Sequence, residues 1–275
     1  MAAAVDVYRI TDQLDTETLD VLETRLEARG RHPRFLHMMG EYLDAMSIDA
    51  AATVLDVGCG TGVVARTIAR RKGFGGHVTG IDLSASLIEA ARRFATGEGL
   101  SGVIDFHAGD SQSLKLPDAA FDAVIAHTLI SHVDDPRAVL GELARVVKPG
   151  GMIGIFDGDY ASITFGTDDP ARGRAMDEAI IAAIVTNPRV MREMPQLLRD
   201  TRLDLVSSFA YVLAEVGTAD FWKPGIQSFM KLLPKSGAAT EAEAVAWADE
   251  VLRRSDEGVF FGACNFYSYL ARRRP

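Results

Sequence analysis

The sequence predicts an α/β chain: a parallel sheet with helices packed on both of its faces. Strand–helix units repeat from residue 53 to about residue 157, and their strands are nearly continuous apolar runs. Strands buried on both faces have that composition, and parallel pairing requires helical crossovers. A glycine-rich turn, Gly58-Cys59-Gly60-Thr61-Gly62, joins one of these strands to a helix.

The elements follow in order. Leu19, Leu22 and Leu26 share one helical face, and Gly30 is expected to stop that run. Phe35, Met38, Tyr42 and Met46 then recur at helical spacing. Thr53 to Val57 reads as a strand. A helix carrying Val64 and Ile68 follows and ends at Gly73. His77 to Asp82 is the next strand, after which Ser84 caps a helix with a stripe of Leu87, Ile88, Ala91 and Phe94. Val103 to His107 and Phe121 to His127 are further strands. Asp135 and Pro136 open a helix with Val139, Leu140, Leu143 and Val147 turned inward. Lys148-Pro149-Gly150-Gly151 should end it, and Met152 to Asp157 is again strand.

The last hundred residues change character. Two helical pieces cover about 174–200, the second opened by Asn187-Pro188. Leu203 to Leu213 and Gly258 to Leu270 read as strands. The 218–256 segment between them is too long for a hairpin loop, and Thr240 with Glu243 forms a capping box within it. The expected division is therefore a helical segment at 1–50 covering the site, a ligand-binding core at 51–165, and a sheet extension at 166–275 with helical caps at about 170–200 and 218–256.

Composition narrows the function. The 275 residues carry 38 acidic and 29 basic side chains, a net charge of −9, so a dedicated nucleic-acid surface is not expected. The basic run Arg272-Arg273-Arg274 reads as a solvated tail. No apolar run reaches membrane-spanning length, and the N-terminus lacks the pattern of a secretory signal. Two cysteines give neither a disulfide framework nor a metal-ligand spacing. A cytoplasmic protein is expected, with a small molecule and at most a second copy of the chain as partners.

Glycines at the end of such a strand let a ligand approach the backbone. The spacing is Gly-x-Gly-x-Gly, with Val63 where a dinucleotide-binding turn wants a small residue. Asp56 stands just before the glycines, where it would repel a pyrophosphate and attract a cation. Asp82 ends the second strand, about 20 residues beyond Gly62, where a carboxylate takes up ribose hydroxyls. Asp110 follows the third strand and could accept from an exocyclic amine. The residues thus point to a nucleoside carrying positive charge rather than to a nicotinamide dinucleotide.

Five ordered motifs resemble those of the class I S-adenosylmethionine-dependent methyltransferases, the ubiquinone/menaquinone-biosynthesis type of the small-molecule branch in particular. They are Val54 to Gly62, Gly80-Ile81-Asp82-Leu83-Ser84, Gly109-Asp110-Ser111, Phe121-Asp122-Ala123-Val124 and Val146-Val147-Lys148-Pro149-Gly150-Gly151. The resemblance covers about residues 50–160. It implies a Rossmann-like seven-stranded sheet, mostly parallel, with an antiparallel last strand. It further implies that Asp56, Gly58, Gly60 and Thr61 border the methionine part of S-adenosylmethionine. Asp82 would hold the ribose and Leu83 would lie against the adenine, with Asp110 and Ser111 at the adenine edge. His127 would line the methionine amine.

The implied reaction is methyl transfer to a small, apolar or aromatic metabolite, promoted mainly by proximity and orientation. An oxygen nucleophile would need a base, and His132 and Asp157 are the residues available. Cys59 reads as a small neutral filler. Asp157-Gly158-Asp159-Tyr160 lacks the third ligand a metal would need, so no metal is expected. The alternative is a protein that binds S-adenosylmethionine without transferring its methyl group.

Overall fold

The computed structural model describes residues 6–274. Two helices come first, α1 (Thr16–Arg31) and α2 (Pro33–Ala45). The alternating core follows: β1 (Thr53–Val57), α3 (Val63–Ala69), β2 (His77–Asp82), α4 (Ala85–Gly97), β3 (Ile104–Ala108), β4 (Phe121–His127), α5 (Pro136–Val146) and β5 (Val147–Phe165). The chain ends with α6 (Pro170–Ile184), α7 (Val190–Asp200), β6 (Leu203–Gly217), α8 (Trp222–Ser236), α9 (Glu241–Asp256) and β7 (Phe260–Arg273).

The strands form one seven-stranded sheet in the order β3-β2-β1-β4-β5-β7-β6. Only β7 runs against its neighbours; it pairs antiparallel with both β5 and β6. The expected Rossmann-like sheet is therefore the one observed. Successive strand residues feed two cores. Val54, Ile125 and Phe156 join α2, α3, α4, α6, α8 and α9 on one face, while Leu55, Val124 and Ile155 meet α5 and α7 on the other. Among the described residues no helix is long and apolar enough to cross a membrane.

Four local expectations change. Gly30 lies inside α1, and the helix stops instead at His32, which the following Pro33 biases to extended backbone (φ −71°, ψ 132°). A Cβ on Gly30 would lie 2.5 Å from Val63 Cγ1, so this glycine lets α1 close onto α3. The Lys148-Pro149-Gly150-Gly151 stretch is a bulge within β5 rather than a break before it. Pairing with β4 skips there from Phe121↔Val147 to Ala123↔Met152. The same strand runs on past Asp157 to Phe165. The C-terminal arginines are not a loose tail. Arg273 donates to the carbonyls of Arg145 and Val147 (2.9 and 2.6 Å), and Arg274 pairs with Asp204 at 2.8 Å.

Candidate active site

At the C-terminal ends of β1, β2 and β4 lies a cavity of about 300 Å³. The glycine turn forms its floor and the segment Tyr8–Gln13 forms part of its roof. Gly58 has φ +70°, and a Cβ there would come within 2.7 Å of Leu129 Cδ1. Gly62 has φ +79°, and a Cβ there would press on Phe106 at 2.6 Å. Both demand glycine on conformation and on space. The Gly58 and Cys59 N–H groups donate to the Ile81 carbonyl (2.7 and 2.9 Å), which fixes the turn to β2.

Asp56 is 1 % exposed. Its Oδ2 accepts from Ala65 N–H at 3.1 Å, while Oδ1 is buried without a partner. Burial, with Asp82 nearby, pushes this carboxyl up to about 7 against the helping Ala65 N–H. Asp82 accepts from Gly60 N–H at 2.8 Å and Ser84 N–H at 2.9 Å, and burial again raises it. Leu83 beside it is 42 % exposed at the cavity edge. Asp110 and Ser111 line the same end, Asp110 exposed and accepting from Gln112 N–H. Cys59 is buried and its thiol is pushed well above the ordinary range by burial, in keeping with a neutral filler.

The two histidines differ. His127 is stacked on Phe156 with centroids 4.5 Å apart, and its Nδ1 meets the Tyr42 hydroxyl at 2.9 Å. Burial, reinforced by the Arg29 charge, pulls it well below the usual histidine range, so the ring is neutral. The Tyr42 hydroxyl and Nδ1 share one hydrogen bond that either group can donate. His132 lines the cavity from the connection between β4 and α5, and its Nδ1 lies 3.0 Å from Asp6 Oδ2.

Two expected side chains are committed elsewhere. The Thr61 hydroxyl donates to Glu27 Oε1 of α1 at 2.7 Å, so only its backbone is free to serve the cavity. Asp157 is fully buried behind the cavity wall. Its oxygens accept from Ser131 N–H, Ser131 O–H and Gly158 N–H (3.0, 3.0 and 2.8 Å). It holds the turn that presents His132 and does not line the cavity.

Arg29, Asp6 and Glu27 were not foreseen as site residues. Arg29 Nη2 donates to Thr128 Oγ1 at 2.9 Å, and its guanidinium lies 4.9 Å above the Phe35 ring. Thr128 has φ +54°, rare for a β-branched residue, and its N–H is held by the Phe156 carbonyl at 2.6 Å. Glu27 also takes the buried Arg66, which ties α1 to the glycine turn and to α3. None of these residues sits in a short motif. The one local signal is the placement of Arg29 four residues after Arg25 on a helix whose apolar face is thin.

Residues 55–155 match the model of a family described as methyltransferase domain. The chain is 39% identical over 48% of its length to sterol 24-C-methyltransferase ERG6A of Gibberella zeae, and it covers 32% of that protein. It is 37% identical over 41% of its length to the ubiquinone biosynthesis O-methyltransferase of Xanthomonas axonopodis pv. citri, covering 46% of it. The chain thus spans less than half the length of either relative. Over residues 55–155 the chain is thus similar to methyltransferases, the class that its ordered motifs resemble.

In fold, the chain is similar to the [4+2]-cyclase SpnF, with a TM-score of 0.64 at 18% identity over 100% of this chain and 99% of that one. The motif resemblance implies S-adenosylmethionine as cofactor, and the donor set of the cavity fits that molecule. A buried carboxylate oxygen without a partner suits a cationic ligand, the glycine turn leaves backbone exposed, and an uncovered leucine offers a flat apolar face. Among the described residues no group of three or more His, Cys, Asp or Glu could hold a metal ion.

Proposed function

We propose that this protein is a methyltransferase that transfers a methyl group from S-adenosylmethionine to a small, apolar or aromatic metabolite. The partnerless Oδ1 of Asp56 at the floor of the cavity carries the reading, because burying that oxygen is costly until a cationic ligand answers it. When bound, S-adenosylmethionine supplies an electrophilic methyl carbon whose bonding pair stays with the departing sulfur.

The residues of this chain then divide the remaining work. Asp56, with the backbone of Gly58, Gly60 and Thr61, borders the methionine part. Asp82 accepts from the ribose, Leu83 covers the adenine, and Asp110 with Ser111 meets its edge. His127 and Arg29 face the amino-acid end, where a guanidinium suits a carboxylate. Of the expected 1–50 segment, residues 6–50 close the cavity over residues 51–165 while 1–5 lie outside the described residues, and residues 166–274 supply the sheet extension and the packing around it. Alignment of acceptor and methyl carbon with exclusion of water is the main catalytic contribution, and His132 is the base available to an acceptor that must lose a proton.

Incubating the protein with S-adenosylmethionine and catechol, geraniol, indole or thiophenol, and assaying S-adenosylhomocysteine, tests the reaction. Product with at least one acceptor supports it. Tight cofactor binding in calorimetry with no product from any acceptor would favour the alternative, a binding protein that does not transfer the methyl group.

A further inference from the structure

We infer that Asp6 and His132 form a proton-accepting pair, in which Asp6 is a positioning residue that fixes the His132 tautomer, and that the acceptor is a hydroxyl compound. This rests on the methyltransferase reading above and adds to it the class of nucleophile.

Asp6 is 4 % exposed, and each of its contacts is directed. Oδ1 accepts from Tyr8 N–H at 2.9 Å; Oδ2 accepts from the Thr186 hydroxyl and from His132 Nδ1, both at 3.0 Å. A carboxylate only accepts, so Nδ1 carries a proton, and in the neutral form of the ring the lone pair lies on Nε2. The Nδ1 of His127, a few residues earlier, is instead shared with the Tyr42 hydroxyl, a group that both donates and accepts, so His132 is the cavity imidazole whose tautomer a carboxylate sets.

The ring is also held against reorientation. Tyr8 and Tyr160 flank it at 4.9 and 6.2 Å between centroids. The Ser131 carbonyl accepts from the N–H groups of Thr186 and Asn187, and Asn187 Nδ2 donates to the Val133 carbonyl at 2.6 Å. Asp157 secures Ser131 from the sheet side. The segment bearing Asp6 is itself anchored, through Val7 N–H to the Ala183 carbonyl of α6. Four separate stretches of chain thus fix one imidazole at the cavity wall. A ring-carbon or thiolate nucleophile has little use for such a base, whereas an alcohol or phenol must shed its proton as the new bond forms. The hydroxyl proton passes to His132 Nε2, and the oxygen uses the freed pair to take the methyl group. The imidazolium, stabilised by Asp6, returns the proton to solvent after product leaves.

Imidazole nitrogen NMR on the full-length, cofactor-free protein labelled with ¹⁵N-histidine tests the pairing. The wild type should show His132 as the Nδ1–H tautomer, and Asp6→Asn and Asp6→Ala should each lose that signature. An Nε2–H tautomer in the wild type, or an unchanged tautomer in both variants, overturns the pair. Calorimetry with S-adenosylhomocysteine on the same samples separates this from the parent reading. Retained binding in the variants isolates the effect to His132, while no binding in the wild type overturns the methyltransferase assignment and this inference with it. In the acceptor assay, Asp6→Asn should slow transfer to catechol or geraniol at least about tenfold and spare thiophenol. Methylation of indole or thiophenol without any of the hydroxyl compounds overturns the hydroxyl assignment.

Discussion

Asp56 sets the response of the site to pH. Its carboxyl is raised to about 7, so between the ordinary carboxylate range and that value the folded protein holds a proton that the unfolded chain has released. This contribution to the stability of the cofactor-free protein is therefore present at the acid end and is lost as pH rises through 7. Affinity for a cationic ligand runs the other way, since the ionised form attracts it. Calorimetry at pH 6 and pH 8 should show tighter S-adenosylmethionine binding at pH 8, and Asp56→Asn should remove the difference. Asp82 accepts two backbone N–H bonds already, one from the glycine turn. Asp82→Ala should weaken S-adenosylmethionine binding by about 1–3 kcal/mol, the scale of a lost hydrogen bond to a charged group; unchanged affinity would reject the ribose assignment.

Among the elements, α1 braces the glycine turn directly. Glu27 receives Thr61 from the glycine turn and Arg66 from α3, and its side chain and that of Arg66 are 9% and 4% exposed. Burial lowers Arg66 while the Glu27 charge opposes that shift, so the pair holds together only as a pair. Glu27→Ala strands a buried guanidinium and should cost about 3–5 kcal/mol of stability in urea unfolding, with weaker cofactor binding because the turn loses its brace. A loss below 1 kcal/mol would mean that Glu98, which also pairs with Arg66, suffices alone. Sequence patterning located β1, β2 and β4 to the residue, because each is a short apolar run bounded by charge or glycine. It misjudged Gly30 because glycine serves helix ends and close packing alike, and only the position of Val63 distinguishes them.

At the scale of the whole molecule, the sheet and the floor of the cavity were legible because their residues are near neighbours in the chain or lie at strand ends. The roof was not. Arg29 reaches Thr128 across 99 residues and Asp6 reaches His132 across 126, and no local pattern encodes such pairings. The helical segment between β6 and β7 also proved less uniform than a cap. Phe221 stacks on Phe35 at the cavity side, whereas Trp222 is 4% exposed among Phe165 and Phe221, with its indole N–H on the Gly262 carbonyl. Trp222→Ala should therefore cost about 3–5 kcal/mol of stability and lower the melting temperature. A variant with unaltered stability and a raised KM would instead place Trp222 in a substrate cap.

The long reach of Asp6 bears on how the molecule matures. Strands β1 to β5 join through short crossovers and can assemble with modest loop-closure entropy, but the N-terminal stretch must return to a connection formed far downstream. In refolding from denaturant, far-ultraviolet circular dichroism should recover before the His132 environment does. The chemistry of the pocket is then the last thing the chain acquires, and the first to go when its leading segment frays.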